Sequence, residues 1–165
     1  MKKILVLEAD VLLCQKTSDF LEMEHYQVLQ ANDGLKGMKL AMEEIPDLIL
    51  CDIALPEMDG YKVYRTLQQN SSTEMIPFIF ISGKTEKEEV RAGMHLGADD
   101  YITKPFELED LLDAIEIRLA KYEKMMNKSY ENFQVVMDNP MFGIFMLQDD
   151  RIIFYNRKFL EMLGY

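Results

Sequence analysis

Short, unbroken apolar stretches recur along the first 103 residues: Ile4 to Leu7, Val28-Leu29, Leu48 to Cys51, Phe78 to Ile81, and Tyr101-Ile102. Runs of this kind suit strands whose two faces are both covered. Between them the apolar positions fall at helical spacing: Leu13, Thr17, Phe20 and Leu21, then Leu35, Met38 and Leu40 to Met42, then Val63, Tyr64 and Leu67, then Val90, Met94 and Leu96. Boundary chemistry agrees with that alternation. Asn32-Asp33-Gly34 and Asp59-Gly60 are turn or cap sequences, and Thr85-Glu86-Lys87-Glu88 has the spacing of a capping box. Five strands with interleaved helices predict an α/β fold: a doubly wound, five-stranded parallel sheet covered on both sides.

A last helix is predicted from about Glu107, with apolar positions Leu108, Leu112, Ile115, Leu119, Tyr122 and Met126 in alternating steps of four and three, resuming after Ser129 at Phe133 and Val136. That is a heptad seam, so the helix is expected to act as a connector and to promote a homodimer. Past Asn139-Pro140 the pattern changes again. Phe142 to Leu147 reads as a strand, Gln148 to Arg151 as a turn and Ile152 to Tyr155 as a second strand. The expected organisation is a first domain over 1–120, a helical connector over 121–138 and a truncated segment over 139–165, too short to bury its own Phe142, Phe145, Ile153 and Phe159.

Charge narrows the partners. The chain of 165 residues has 18 Lys and Arg against 29 Asp and Glu, a formal charge of −11, and an acidic surface repels nucleic acid and anionic lipid. All of the excess lies in the first 120 residues; from Lys121 onward acids and bases balance. Cys14 and Cys51 both fall inside apolar patterns, which suits buried thiols in a reducing compartment. The only apolar stretch near the N-terminus, Ile4 to Leu7, is too short for a signal-peptide core, and no run approaches a membrane span. A cytoplasmic protein with neither a nucleic-acid nor a membrane partner is expected. His25 and His95 lack partners at ligand spacing and are read as ordinary surface or loop histidines.

In doubly wound sheets ligands sit beyond the carboxyl ends of the strands, so the residues that close each apolar run are the candidates: Glu8, Asp10, Asp52, Ser82 and Lys104. A carboxylate, a hydroxyl and an ammonium at one sheet edge suit phosphoryl handling. The Asp can be the nucleophile, the Lys can neutralise phosphoryl oxygens, the hydroxyl can hydrogen-bond them, and nearby carboxylates can hold Mg²⁺. Singly, each has a plainer reading as a cap, a turn former or a solvated side chain.

The strings DLILCDIALPEMDG at 47–60 and GADDYITKPF at 97–106 resemble the response-regulator receiver domain, and the resemblance covers about residues 2–120. It implies a flavodoxin-like receiver fold in which Asp52 is the phosphoacceptor, Ser82 the hydroxyl switch, Tyr101 the aromatic that changes rotamer, Lys104 the phosphate contact, and Lys104-Pro105 a cis peptide. It further implies a non-enzymatic signalling role, with a histidine kinase or phosphotransfer protein as partner. Receivers usually carry two adjacent acids after the first strand, whereas this sequence reads Glu8-Ala9-Asp10. The implied Mg²⁺ ligands are therefore Glu8, Asp10, Asp52 and the Ala54 backbone carbonyl, weakened by Ala9. The tail at 139–165, with Asn139-Pro140, Gly143-Ile144-Phe145, Asn156 and Leu163-Gly164-Tyr165, resembles the opening of a PAS domain, which implies a longer receiver–PAS protein. Two other readings remain. One is a degenerate receiver that works by dimerising, without phosphorylation. The other, an Asp-nucleophile phosphatase, wants a second Asp where Ala54 stands and is set aside.

Overall fold

A computed structural model of the chain describes residues 1–83 and 97–164. The helix expected through Val90, Met94 and Leu96, the Thr85–Glu88 capping spacing and His95 lie outside the described residues. The chain divides into two compact units, residues 1–120 and 121–165.

The first unit carries five parallel strands, β1 (Lys3–Leu7), β2 (Gln27–Ala31), β3 (Leu48–Asp52), β4 (Phe78–Ser82) and β5 (Asp100–Thr103), in the order β2-β1-β3-β4-β5. Each strand is longer than its apolar run. The hydrogen-bond ladder needs only backbone, so it takes in polar end residues such as Asp52 and Ser82. Side chains of β1, β3 and β4 alternate between two apolar layers. One packs Leu5, Leu7, Ile49, Cys51, Phe78 and Phe80 against α2 (Gly34–Glu44) and α3 (Gly60–Gln68). The other packs Ile4, Val6, Leu48, Leu50, Ile79 and Ile81 against α1 (Val11–Met23) and the start of α4 (Leu108–Met137). Tyr64, Phe78 and Phe80 stack edge to face, with centroids 4.9–5.7 Å apart. Edge-to-face contact suits the ring quadrupoles and adds to the burial energy.

Helix starts are set by carboxylates. Asp10, Asp33 and Asp59 are the N-caps of α1, α2 and α3, each accepting a backbone N–H of the first turn. Two glycines permit close approach around the β3–α3 segment. A Cβ on Gly34 would collide with the Met58 carbonyl oxygen, and one on Gly60 would lie 2.5 Å from the Asp52 carbonyl oxygen.

The α4 seam differs from the heptad expectation. Its fully buried positions are Leu111 and Ile115, with Leu119 nearly so, while Leu108 and Leu112 are half-buried. Packing on a sheet selects the face of an ordinary 3.6-residue helix, which brings in Leu111 at the expense of the strict 4-3 seam.

In the second unit, β6 (Phe145–Gln148) and β7 (Arg151–Tyr155) form an antiparallel hairpin, followed by α5 (Arg157–Met162). Asp149 and Asp150 both have positive φ, 48° and 58°, the backbone of a two-residue hairpin turn of the type that matches strand twist. The strand starts three residues later than the sequence predicts, at Phe145 and not Phe142. The cause is Asn156, only 4% exposed, whose Oδ1 accepts from Ile144 N at 2.8 Å and Phe159 N at 3.0 Å while its Nδ2 donates to the Phe142 carbonyl at 2.9 Å. Residues 142–144 are thus bonded to a side chain and not to a strand. Phe133 meets Phe154, and Phe145 meets Phe159, closing a small aromatic core within the unit.

Two outcomes follow from these contacts. Gly60→Ala is expected to destabilise the first unit by about 1–3 kcal/mol, because the new methyl meets backbone that cannot swing aside; urea unfolding measures it, and an unchanged midpoint would show that the segment yields. Asn156→Ala leaves the Ile144 N–H and the Phe142 carbonyl without their partner and the Phe159 N–H with only its 3.2 Å bond to the residue-156 carbonyl, and is expected to speed amide exchange at Ile144 by at least about tenfold and at Phe159 by less. Unchanged protection of the Ile144 amide would refute the clasp.

Candidate functional site

The sheet register assembles the site. Leu7 lies opposite Cys51 across β1 and β3, so the next residues, Glu8 and Asp52, end side by side. Ser82 lies opposite Thr103 across β4 and β5, so Lys104 emerges immediately beyond, its N–H donating to the Ser82 carbonyl at 2.7 Å. The β1/β3 boundary is also where the strand order reverses, the crevice in which such sheets bind ligands.

Lys104 Nζ sits 2.8 Å from Asp52 Oδ2 and 2.6 Å from Glu8 Oε2, a single ammonium shared by two carboxylates. Both acids are almost wholly buried, Glu8 at 4% and Asp52 at 5% exposure. The remaining oxygens are held by backbone: Asp52 Oδ1 accepts from Ala54 N at 3.0 Å and Glu8 Oε1 from Asp10 N at 3.0 Å. Removal from water pushes the Glu8 carboxyl above the ordinary glutamate range, outweighing the opposing pull of Lys104. Burial by itself would depress Lys104, but its hydrogen bonds to Asp52 and Glu8 prevail and hold it above the usual lysine value. Lys104 is therefore a fixed cation. With both carboxylates ionised the triad keeps one negative charge in a poorly solvated place.

Ser82, at the end of β4, is 4% exposed, and Tyr101 is half-buried on β5 opposite Phe80. Lys104-Pro105 is a cis peptide. Asp10 stands apart from the other acids: it is exposed, and its Oδ1 caps α1 through Leu12 N at 2.9 Å and Leu13 N at 3.1 Å. Among the described residues no group of three or more acid, His or Cys side chains is arranged around one point. Two convergent carboxylates nevertheless fit Mg²⁺, which commonly takes one or two carboxylates, keeps several waters and accepts the rest of its oxygens from a phosphate.

Asn32 was not among the sequence candidates, yet its Nδ2 donates to the Glu8 carbonyl at 2.8 Å and ties β2's end to β1's. It directly follows β2, so the strand-end rule that singled out Asp52 would have found it. The Cys51 thiol donates to the Asp52 carbonyl at 3.2 Å from within the core, where burial pushes its pKa far up, so it is inert filling beside Asp52. His25 occupies the left-handed turn after α1, with φ 66°.

Comparison with known proteins agrees with this geometry. Residues 4–116 match the response regulator receiver domain and residues 131–165 match the PAS domain. The chain is 36% identical over 125 residues to the DNA-binding dual master transcriptional regulator RpaA of Synechocystis, covering 76% of this chain and 52% of that protein. It is also 36% identical over 120 residues to protein PilH of Pseudomonas aeruginosa, covering 73% of this chain and 99% of that one. The chain spans about half the length of the first of these and of several other curated relatives. A CheY-like receiver from Methanospirillum hungatei superimposes with TM-score 0.71 at 30% identity, covering 76% of this chain and 98% of that chain. No helix among the described residues is long and apolar enough to cross a membrane. Fold, strand-end site and sequence thus converge, and the chain belongs to the response-regulator receiver domain family, with a PAS-type segment after the receiver.

Proposed function

We propose that this receiver takes a phosphoryl group on Asp52 from the phosphohistidine of a partner kinase or phosphotransfer protein, in the cytoplasm, and passes the change to the PAS-type region. The observation that carries the reading is the shared ammonium, with Lys104 Nζ 2.8 Å from Asp52 and 2.6 Å from Glu8 at the sheet's switch point. In the transfer an Asp52 oxygen bonds to phosphorus as the N–P bond breaks, and the bond's electron pair stays on the departing imidazole. Lys104 moves its hydrogen bonds from the carboxylates to the new phosphoryl oxygens, and Ser82 and Tyr101 respond to the added charge. That charge is the difficulty. A phosphoryl group brought beside Glu8 and Asp52 leaves one ammonium facing an excess of anions, and a buried excess of this kind demands another cation. Mg²⁺ held by Glu8, Asp52 and the Ala54 carbonyl would supply that charge.

The competing role, a phosphorylation-independent interaction module, draws on Ala9 and on the engagement of Asp10 at the α1 cap. Two measurements separate the readings. Acetyl phosphate with Mg²⁺ should add one phosphoryl mass to the full chain, and Asp52→Asn should abolish it; modification that survives the substitution would remove Asp52 from the mechanism, and no modification at all would favour the interaction module. Ala9→Asp should tighten Mg²⁺ by about tenfold or more, since a direct carboxylate ligand is worth at least what outer-shell partners are. Titration of both proteins reads this, and equal affinities would mean that Glu8 already supplies the missing charge.

A further inference from the structure

We propose that Asn32 is a positioning residue of the phosphoacceptor site, a role that rests on the phosphoryl-transfer reading of Asp52. Asn32 touches none of the reacting groups. It fixes the backbone of Glu8, and through it the carboxylate that shares Lys104 with Asp52. β1 ends at Leu7, so Glu8 lies one residue past the strand. Its peptide groups are nevertheless held by two consecutive residues at the end of β2. The Glu8 N–H donates to the Ala31 carbonyl at 3.1 Å, and Asn32 Nδ2 donates to the Glu8 carbonyl at 2.8 Å. Parallel strands bond at even intervals, so the next rung of this ladder would be the N–H of residue 33 onto the Glu8 carbonyl. The Asn32 side chain supplies that rung instead, and the backbone turns away at Asp33, whose Oδ1 accepts from Lys36 N at 2.8 Å to cap α2. A carbonyl only accepts, so the group facing it must be the amide NH₂ of Asn32.

The orientation of Glu8 matters because no neighbouring acid can replace it. Ala9 has no side-chain oxygen, and Asp10 Oδ1 is engaged with Leu12 N and Leu13 N at the start of α1. A glutamate carboxylate sweeps a wide arc through its several rotatable bonds unless both of its ends are held. Here the head is bound by Asp10 N at 3.0 Å and Lys104 Nζ at 2.6 Å, and Asn32 holds the base. The same turn grips the other half of the site. Two residues after Asn32, the Gly34 N–H donates to the Pro56 carbonyl at 3.2 Å, in the segment that follows Asp52. Residues 31–34 are thus bonded to both loops from which the site's oxygens come. Asn32 is exposed, so its replacement removes the hydrogen bond with little loss of packing.

Asn32→Ala and Asn32→Asp test the role first without metal. The Asp10 N–H reports the Glu8 carboxylate, because it donates to Oε1. Alanine removes the donor and aspartate sets a second acceptor against the Glu8 carbonyl, so both should speed Asp10 amide exchange by about fivefold while the Gly34 amide keeps its protection. Mg²⁺ titration is the second measurement. Asn32→Ala should weaken binding by about tenfold, the low end for groups that orient a metal ligand. In a Glu8→Gln background the same substitution should cost less than about twofold, since an effect exerted through Glu8 vanishes with its charge. Unchanged Asp10 exchange, or exchange speeded equally at Gly34, would overturn the proposal. So would an equal loss of Mg²⁺ affinity with and without Glu8→Gln. A wild-type chain that neither binds Mg²⁺ nor takes a phosphoryl group would instead sink the phosphoryl-transfer reading, and amide exchange would still decide whether Asn32 holds Glu8.

Discussion

One ammonium between two buried carboxylates organises the receiver. Lys104 reaches Asp52 and Glu8 only because β5 ends opposite β4, β4 opposite β3 and β3 opposite β1, so the ion triad reports the register of these four strands. Either carboxylate without Lys104 would be a buried, uncompensated charge, a strongly destabilising arrangement. The same triad is what makes the site responsive. A group held by opposed charges in a poorly solvated pocket feels any added anion strongly.

The strands were legible because strands buried on both faces leave continuous apolar runs, and Ile4 to Leu7, Leu48 to Cys51 and Phe78 to Ile81 are of that kind. Their ends were less so, since Asp52 and Ser82 belong to the ladder by backbone alone. The strand-end rule located Glu8, Asp52, Ser82 and Lys104, yet gave no means of seeing that Glu8 and Asp52 share one cation. That sharing depends on side-chain length across two strands. Leu111 escaped the heptad reading because a helix lying on a sheet follows a different period from one lying on another helix. Asn156 escaped altogether: its three bonds join residues 142, 144 and 159, and no periodicity records a side chain replacing a strand partner.

The two units are built on different terms. The first has two full apolar layers and the whole of the negative charge, with Leu111, Ile115 and Leu119 tying α4 to the sheet. The second has a hairpin whose residues remain largely exposed, including Leu147 at 57% and Ile153 at 52%, and a single polar side chain at its centre. Stability in the first is spread over many contacts, whereas in the second it is concentrated at Asn156 and at the rings of Phe133, Phe145, Phe154 and Phe159. Local opening is therefore expected to be cheaper in the second unit than in the first.

The segment from Ile53 to Asp59 is pinned at both ends and in the middle. Gly60 N donates to the Ile53 carbonyl at 3.0 Å, Gly34 N donates to the Pro56 carbonyl at 3.2 Å, and both glycines lie against backbone with no room for a methyl. Glu57 turns the chain between them with φ 64°. The consequence is a rule about insertions and deletions. The exposed side chain at position 57 can be exchanged with little effect on this frame, provided the new residue tolerates a left-handed backbone, whereas Met58 packs against the core. The number of residues cannot change: one more or one fewer would slide Gly60 out from under the Asp52 carbonyl and set a side chain in its place. Length, more than composition, is what this loop encodes.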